Sequence, residues 1–213
     1  MADSADVDAL REYATYFLGK YAERAREAPG SSYEFEVRFG RFAEKNGVRN
    51  FDTNVPEREF ETALALARSA EWERVEELEV TQYKKGNRRV RIDAETGAIV
   101  ENVLKKNLSE RTAELPSFAH AFRFSLARET GTEEAPGDLA GWDKSRKSRT
   151  RFVIGAVALD FTRSKARFGK ERQIEVELLL SGMPETEAGA IAESLVMMIG
   201  VIDAGTISGG MPV

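Results

Sequence analysis

The chain has 213 residues, 42% apolar and 31% charged, which fits one soluble domain with a core of its own. It contains no cysteine and a single histidine, His120, which excludes a disulfide framework, a thiolate nucleophile and a multi-histidine zinc site and leaves any metal to oxygen ligands. The net charge of −5 gives no basic surplus for gripping a length of nucleic acid, so such a ligand would be held by one end. No apolar run reads as a membrane span and no secretory leader stands at Met1, so no membrane partner and an intracellular location are expected.

Val7, Leu10, Tyr13, Ala14, Phe17, Leu18 and Tyr21 recur at helical spacing and predict a helix over 5–27, stopped by Pro29-Gly30. A strand follows at 33–42. Pro56 with Phe60, Leu64 and Ala67 then gives a short helix at 56–69. From Val75 the period changes to two, with strands expected near 75–84, 87–94, 98–107, 120–129, 148–155, 157–164 and 172–180. Asp93-Ala94-Glu95-Thr96-Gly97 reads as a hairpin turn, and Thr130 to Gly141 as a flexible Gly/Pro/acid loop. Residues 185–200 read as a third helix with Ile191, Leu195, Met198 and Ile199 inward, and the tail "GTISGGMPV" as loose. Eight sequential antiparallel strands with flanking helices suggest one domain over 1–213, α+β but dominated by β. Its barrel, at about 33–180, is closed or nearly closed.

The first strand, "YEFEVRFG", places Glu34, Glu36 and Arg38 on one face and Tyr33, Phe35, Val37 and Phe39 on the other. A charged outer face over an apolar core is the ordinary explanation of one such strand. The same parity recurs in Arg89, Arg91 and Asp93, then in Arg123, Ser125, Ala127 and Glu129. It recurs again in Lys147, Arg149 and Arg151, in Ala158, Asp160 and Thr162, and in Glu175 and Glu177. The charges segregate, with carboxylate pairs on the first and last strands and cations between them. That sorting fits an interior lined with charge and an apolar exterior under helices. Paired glutamates can hold a divalent cation, and clustered arginine and lysine can hold phosphates. Glu77 and Glu79 form another spaced pair with no basic cluster at matched register, and read as a solvated or structural face.

These motifs resemble the metal-dependent RNA triphosphatases of fungi and large DNA viruses, within the triphosphate tunnel metalloenzymes. The resemblance runs over about 33–180. It rests on Glu34-Phe35-Glu36-Val37-Arg38-Phe39-Gly40, on "RVRIDAETGAIVENVLK" with Arg89 and Lys105, and on "FSLARE" ending in Glu129. It continues through "KSRTRF" with Lys147 and Arg149, "LDFTR" with Asp160 and Thr162, and Glu175-Val176-Glu177. Two positions depart from the pattern. Ala158 stands where relatives usually carry an arginine, with Arg91 or Arg151 as the substitutes, and Leu179 stands where a third glutamate is common.

The resemblance implies a closed eight-stranded barrel forming a tunnel, and removal of the γ-phosphate from the 5′-triphosphate end of RNA, the first step of capping. It implies Mg²⁺ or Mn²⁺ held by Glu34, Glu36, Glu175 and Glu177, phosphate bound by Arg89, Arg91, Lys105, Lys147 and Arg149, and water handled by Glu129. Arg38, Asp160 and Thr162 would support the cations. Nucleoside triphosphates would be secondary substrates and a guanylyltransferase a partner or neighbouring domain, in nucleus, cytoplasm or viral factory. The alternatives are an inorganic tripolyphosphatase or thiamine triphosphatase on the same fold, or a non-enzymatic polyphosphate-binding barrel. The enzymes among them usually carry Glu-x-Glu-x-Lys, where this chain has Arg38.

Overall fold

The computed structural model describes residues 2–28, 31–133, 136–167, 169–179 and 188–208. Three helices, α1 (Ser4–Glu27), α2 (Glu57–Ser69) and α3 (Ala188–Ser208), accompany nine strands. These are β1 (Ser32–Lys45), β2 (Val48–Asp52), β3 (Arg74–Lys85), β4 (Arg88–Asp93), β5 (Ile99–Ala113), β6 (Ala121–Gly131), β7 (Asp143–Ile154), β8 (Val157–Ala166) and β9 (Gly169–Leu178). Every pairing is antiparallel, in the order β2-β1-β6-β5-β4-β3-β7-β8-β9, and β1 also pairs with β9. Eight strands thereby close into a barrel, with β2 as an extra strand. Neighbours in the barrel are not simply neighbours in sequence: β1 lies between β6 and β9, and β3 between β4 and β7.

The hydrophobic core lies outside the barrel wall, between strands and helices. Phe35, Val37 and Phe39 of β1, Phe122, Phe124 and Leu126 of β6, Leu159 and Phe161 of β8, and Ile174 and Val176 of β9 are all fully buried. They pack against Leu10, Phe17 and Leu18 of α1, Phe60 and Leu64 of α2, and Leu195 and Ile199 of α3. Each such side chain stabilises the fold by about 1.5–3 kcal/mol. The helices cover only this half. The outer faces of β3 and β5 meet solvent, with Val75, Ile99, Val100 and Leu104 exposed. His120 belongs to the outer packing and not to the lumen. Its ring lies 2.7 Å from Asp203 of α3 and 3.1 Å from Glu59 of α2, tying both helices to the start of β6.

Several expectations are corrected. β2 was not foreseen; it follows an Asn46-Gly47 turn with φ of 55° and 74°, the backbone of a two-residue hairpin. Gly40 is where β2 crosses closely over β1, since a Cβ there would meet Asp52 O at 2.3 Å. β5 runs on to Ala113 because a bulge between Asn107 and Ser109 shifts the parity, and β7 starts as early as Asp143. β9 begins at Gly169 and ends at Leu178; Leu180 lies outside the described residues. α3 continues to Ser208, so Gly205 to Ser208 are helical and not loose; 185–187 and 209–213 lie outside the described residues. α3 is also long and apolar enough, by length and composition alone, to cross a membrane over Ala188–Gly205. In the fold its Ile191, Ala192, Leu195, Val196, Ile199 and Ile202 are buried, while Met197 and Val201 stay exposed. The Asp93 to Gly97 turn forms as expected, with the Asp93 carboxylate accepting from Thr96 N–H and Thr96 O–H at 2.7 Å each.

Candidate active site

Because side chains alternate across the wall, the apolar parity of each helix-covered strand faces the core and its charged partner parity faces the lumen. The lumen holds a cavity of about 450 Å³ bounded by Glu34, Glu36, Arg38, Lys105, Lys147 and Glu175 among others. A second, of about 240 Å³, lies toward the opposite end against Glu101, Glu129, Arg151 and Glu177. Arg89, Arg91 and Arg149 border both. Glu77 and Glu79 point outward, to Thr150 and Arg146 respectively, as their lack of a matched basic register suggested.

Four glutamates sit where β1 meets β9. Glu36 is opposite Glu177 in register, and Arg38 opposite Glu175. Arg38 donates to Glu36 at 2.9 Å, and its Nε lies 2.6 Å from Glu175 Oε1 as an ion pair without hydrogen-bond alignment. Glu175 Oε1 is thus a buried acceptor with no aligned donor among the described residues. Ser125 donates to the other oxygen of Glu36 at 2.9 Å. Burial opposes ionisation of Glu175, but Arg38, Arg149 and Lys147 outweigh it and hold the carboxyl below its ordinary range. Glu177 goes the other way: burial pushes it up to about 7 although Arg151 contacts it. Ala158, opposite Glu177, has no side chain to reach it, and Arg151 makes that contact.

On the cationic wall, Asp160 is fully buried and anchors two arginines. It accepts from Arg151 at 2.8 and 2.6 Å and lies 3.1 Å from Arg149. Thr162 Oγ1, beside it on β8, is buried with no hydrogen-bond partner among the described residues. Arg89 donates to Glu129 at 2.6 Å and also to Glu101, and Arg91 donates to Glu101 at 2.6 Å. Lys105 contacts Glu34 and stands 3.9 Å from both Glu36 and Glu129. Lys147 differs from these: among the described residues no carboxylate lies within ion-pair distance of its ammonium. Burial, then Arg91, Arg149 and Arg38, push it down to about 8 against the pull of Glu175.

On its own strand Glu129 shares its face with Arg123, Ser125 and Ala127 and has no carboxylate partner. The fold instead sets it diagonally across from Glu34, because Ser32 pairs with Glu129 and Glu34 with Ala127. The two carboxyls are close enough to shift each other's ionisation in opposite directions. Burial first, then Glu34, push Glu129 up to about 7, while Lys105 and Arg89 overcome burial and keep Glu34 low. Glu101 escaped the sequence reading altogether. Its signal was parity: it lies two pairs of residues before Lys105 on β5 and so shares the lumen face. Gln82 and Lys84 of β3 and Gln173 of β9 reach the lumen by the same rule.

A closed antiparallel eight-stranded barrel with a charged lumen forms a tunnel. The fold matches that of the RNA triphosphatase Pct1 of S. pombe, with a TM-score of 0.74 and 12% identity over 95% of this chain and 93% of that one. It also matches the same protein in complex with the Spt5 CTD, with a TM-score of 0.66 and 13% identity over 97% and 91%. No family model and no curated protein matches the sequence.

Proposed function

We propose that this protein removes the γ-phosphate from the 5′-triphosphate end of RNA, with nucleoside triphosphates as secondary substrates, inside the cell. The observation that carries this reading is Lys147, a half-buried cation without a carboxylate partner within ion-pair distance among the described residues, facing a lumen already walled by Arg38, Arg89, Arg91 and Arg149. Partial desolvation of an unpaired cation among other cations is unfavourable, and a polyanion in the cavity relieves it. Phosphoryl transfer needs positioning and charge neutralisation above all, which these side chains supply. The likeness to an RNA triphosphatase structure supports the same reading at the level of fold.

The donor chemistry suits Mg²⁺ or Mn²⁺. Glu34, Glu36, Glu175 and Glu177 are hard oxygen donors on two adjacent strands, and Glu175 keeps a buried oxygen without an aligned donor. Among the described residues no three carboxylates gather around one point, so these residues would hold the ion with water completing its shell. When bound, the ion would supply charge neutralisation at the phosphate oxygens. Arg89, Arg149 and Lys147 bind and orient the phosphates. Glu129, held by Arg89, accepts a proton from the attacking water. Asp160 fixes Arg149 and Arg151. The test is γ-phosphate release from triphosphate-ended RNA, tripolyphosphate, thiamine triphosphate and ATP, each with magnesium or manganese. Turnover of RNA ends above the small triphosphates supports the proposal, and preference for tripolyphosphate refutes it.

A further inference from the structure

The sequence shows no basic surplus, yet the fold assembles a basic surface outside the barrel, on β7, β8 and β9. In register across these strands, Arg146 pairs with Lys165 and Lys165 with Lys170, which makes a row of three cations side by side. In the adjacent row, Ser148 pairs with Arg163 and Arg163 with Arg172. Rows on one face lie about 6.8 Å apart along the strands and neighbouring strands about 4.8 Å apart. Like charges directly opposite destabilise a sheet. Glutamates relieve part of the strain: Glu79 pairs with Arg146, Glu61 with Arg163 and Glu57 with Arg172. Lys165 and Lys170 have no carboxylate within ion-pair distance among the described residues, and both are exposed.

This surface adjoins the end of the lumen where the larger cavity opens. The β3–β4 turn, with Lys84, Gly86 and Asn87 bounding that cavity, sits beside the start of β7, because Lys84 pairs with Asp143. Two half-buried aromatic rings lie at the same rim with cations against them. The Lys144 ammonium is 5.6 Å from the Tyr83 ring, and the Arg88 guanidinium 5.9 Å from the Trp142 ring. Cations tracking a backbone beside aromatic rings on which bases stack form the surface that single-stranded nucleic acid takes. For acidic residues alone the cations would suffice, whereas the flat rings add faces for stacked bases.

We infer that the outer face of β7–β9 and the adjoining rim bind the single-stranded RNA that trails from a 5′ end held in the lumen. The inference rests on the RNA reading of the lumen and adds where the rest of the chain lies and which residues distinguish RNA from a free triphosphate. Lys165 and Lys170 take backbone phosphates, and Trp142 and Tyr83 take bases.

The test uses the Lys165→Ala/Lys170→Ala double variant, with anisotropy of a 5′-hydroxyl RNA oligonucleotide, which offers nothing to the lumen, and turnover of triphosphate-ended RNA and of tripolyphosphate. Loss of two phosphate contacts should weaken the oligonucleotide about tenfold near physiological salt and make its log–log salt slope shallower by about 1.4. Trp142→Leu should weaken it by roughly fivefold or more through lost stacking. KM for triphosphate-ended RNA should rise in parallel, and tripolyphosphate turnover should stay unchanged. Equal RNA affinity of wild type and double variant overturns the inference and leaves the lumen reading intact. Lysine-dependent RNA binding by a wild type that cleaves only tripolyphosphate refutes the lumen reading and supports the outer site. Undiminished RNA binding together with lost binding of an acidic phosphopeptide assigns the surface to a protein partner and overturns the inference.

Discussion

At one end of the lumen Glu34, Glu101, Glu129 and Glu177 meet the forks of Arg89, Arg91 and Arg151; at the other, Lys84, Lys147, Arg38 and Arg123 face Gln82, Asn87, Asn107 and Gln173. The first end is nearly self-neutral, each guanidinium satisfied by a carboxylate. The second carries Lys147 without a counter-ion and opens beside the outer cation rows. On the proposed function the two ends would do different work. The lysine end would admit a polyanion. The carboxylate end, where Glu129 and Glu177 are pushed up to about 7, would handle protons and water.

The severest break should come at the carboxylates of the proposed ion site. Glu36→Gln or Glu177→Gln is expected to abolish γ-phosphate release at any magnesium or manganese concentration, as is EDTA for the wild type. Thermal melts showing a folded variant separate this from collapse, and turnover by either variant without divalent metal would remove the proposed ion. Next comes Glu129→Gln, which keeps the shape of the side chain and loses the base. Its turnover should fall by about 10²–10⁴-fold while calorimetric binding of a non-hydrolysable triphosphate survives.

Lys147→Ala should cost roughly a hundredfold in turnover, as loss of one oriented electrostatic contact does. Lys147→Met should also raise the melting temperature, since it deletes an unpaired, partly desolvated charge among other cations. A drop in stability would mean the ammonium has a partner in the folded protein. Glu101→Gln tests the other end. It weakens the hold on Arg89 and Arg91 and should reduce turnover by about ten- to hundredfold through their misplacement, with little change in KM. The mildest effect is one of pH. Lys147 titrates near 8 in the folded protein instead of near 10.5. It is charged below that value and neutral above it, so tripolyphosphate affinity should decline as pH rises through about 8. Stability of the free protein follows the opposite sign, improving between about pH 8 and 10.5, where the unfolded chain still binds the proton. Affinity flat across that range would take Lys147 out of the phosphate site.

Period-two alternation made the barrel legible, because both faces of the wall carry a signal: apolar against the helices, charged in the lumen. Glu34, Glu36, Arg89, Lys147, Arg149, Asp160, Glu175 and Glu177 follow from parity alone, and the lumen collects all of them. What stayed hidden depends on partners far apart in sequence. β2 is a short edge strand whose only local mark is Asn46-Gly47. Glu101 was obscured because Val100 and Val103 disguise the parity of β5, and the bulge beyond Asn107 then reverses it. The approach of Glu129 to Glu34 is a matter of strand register, which no single strand encodes. The row Arg146, Lys165 and Lys170 comes from three strands, each unremarkable by itself.

The barrel closes along a short seam, where β1 meets β9 from Arg38 opposite Glu175 to Glu36 opposite Glu177. Beyond it the seal passes to other groups: Arg172 accepts from Val55 N–H at 2.8 Å and donates to Asn54 at 2.9 Å, and Gln173 donates to Thr53 at 3.1 Å. The seam joins the first and last strands of the barrel, so closing it has the longest sequence separation of any pairing in the sheet. Its glutamates belong to the proposed site. On the ribosome, therefore, the lumen cannot close until residues 169–178 have emerged, and a nascent chain has no assembled charged cage before β9 is made.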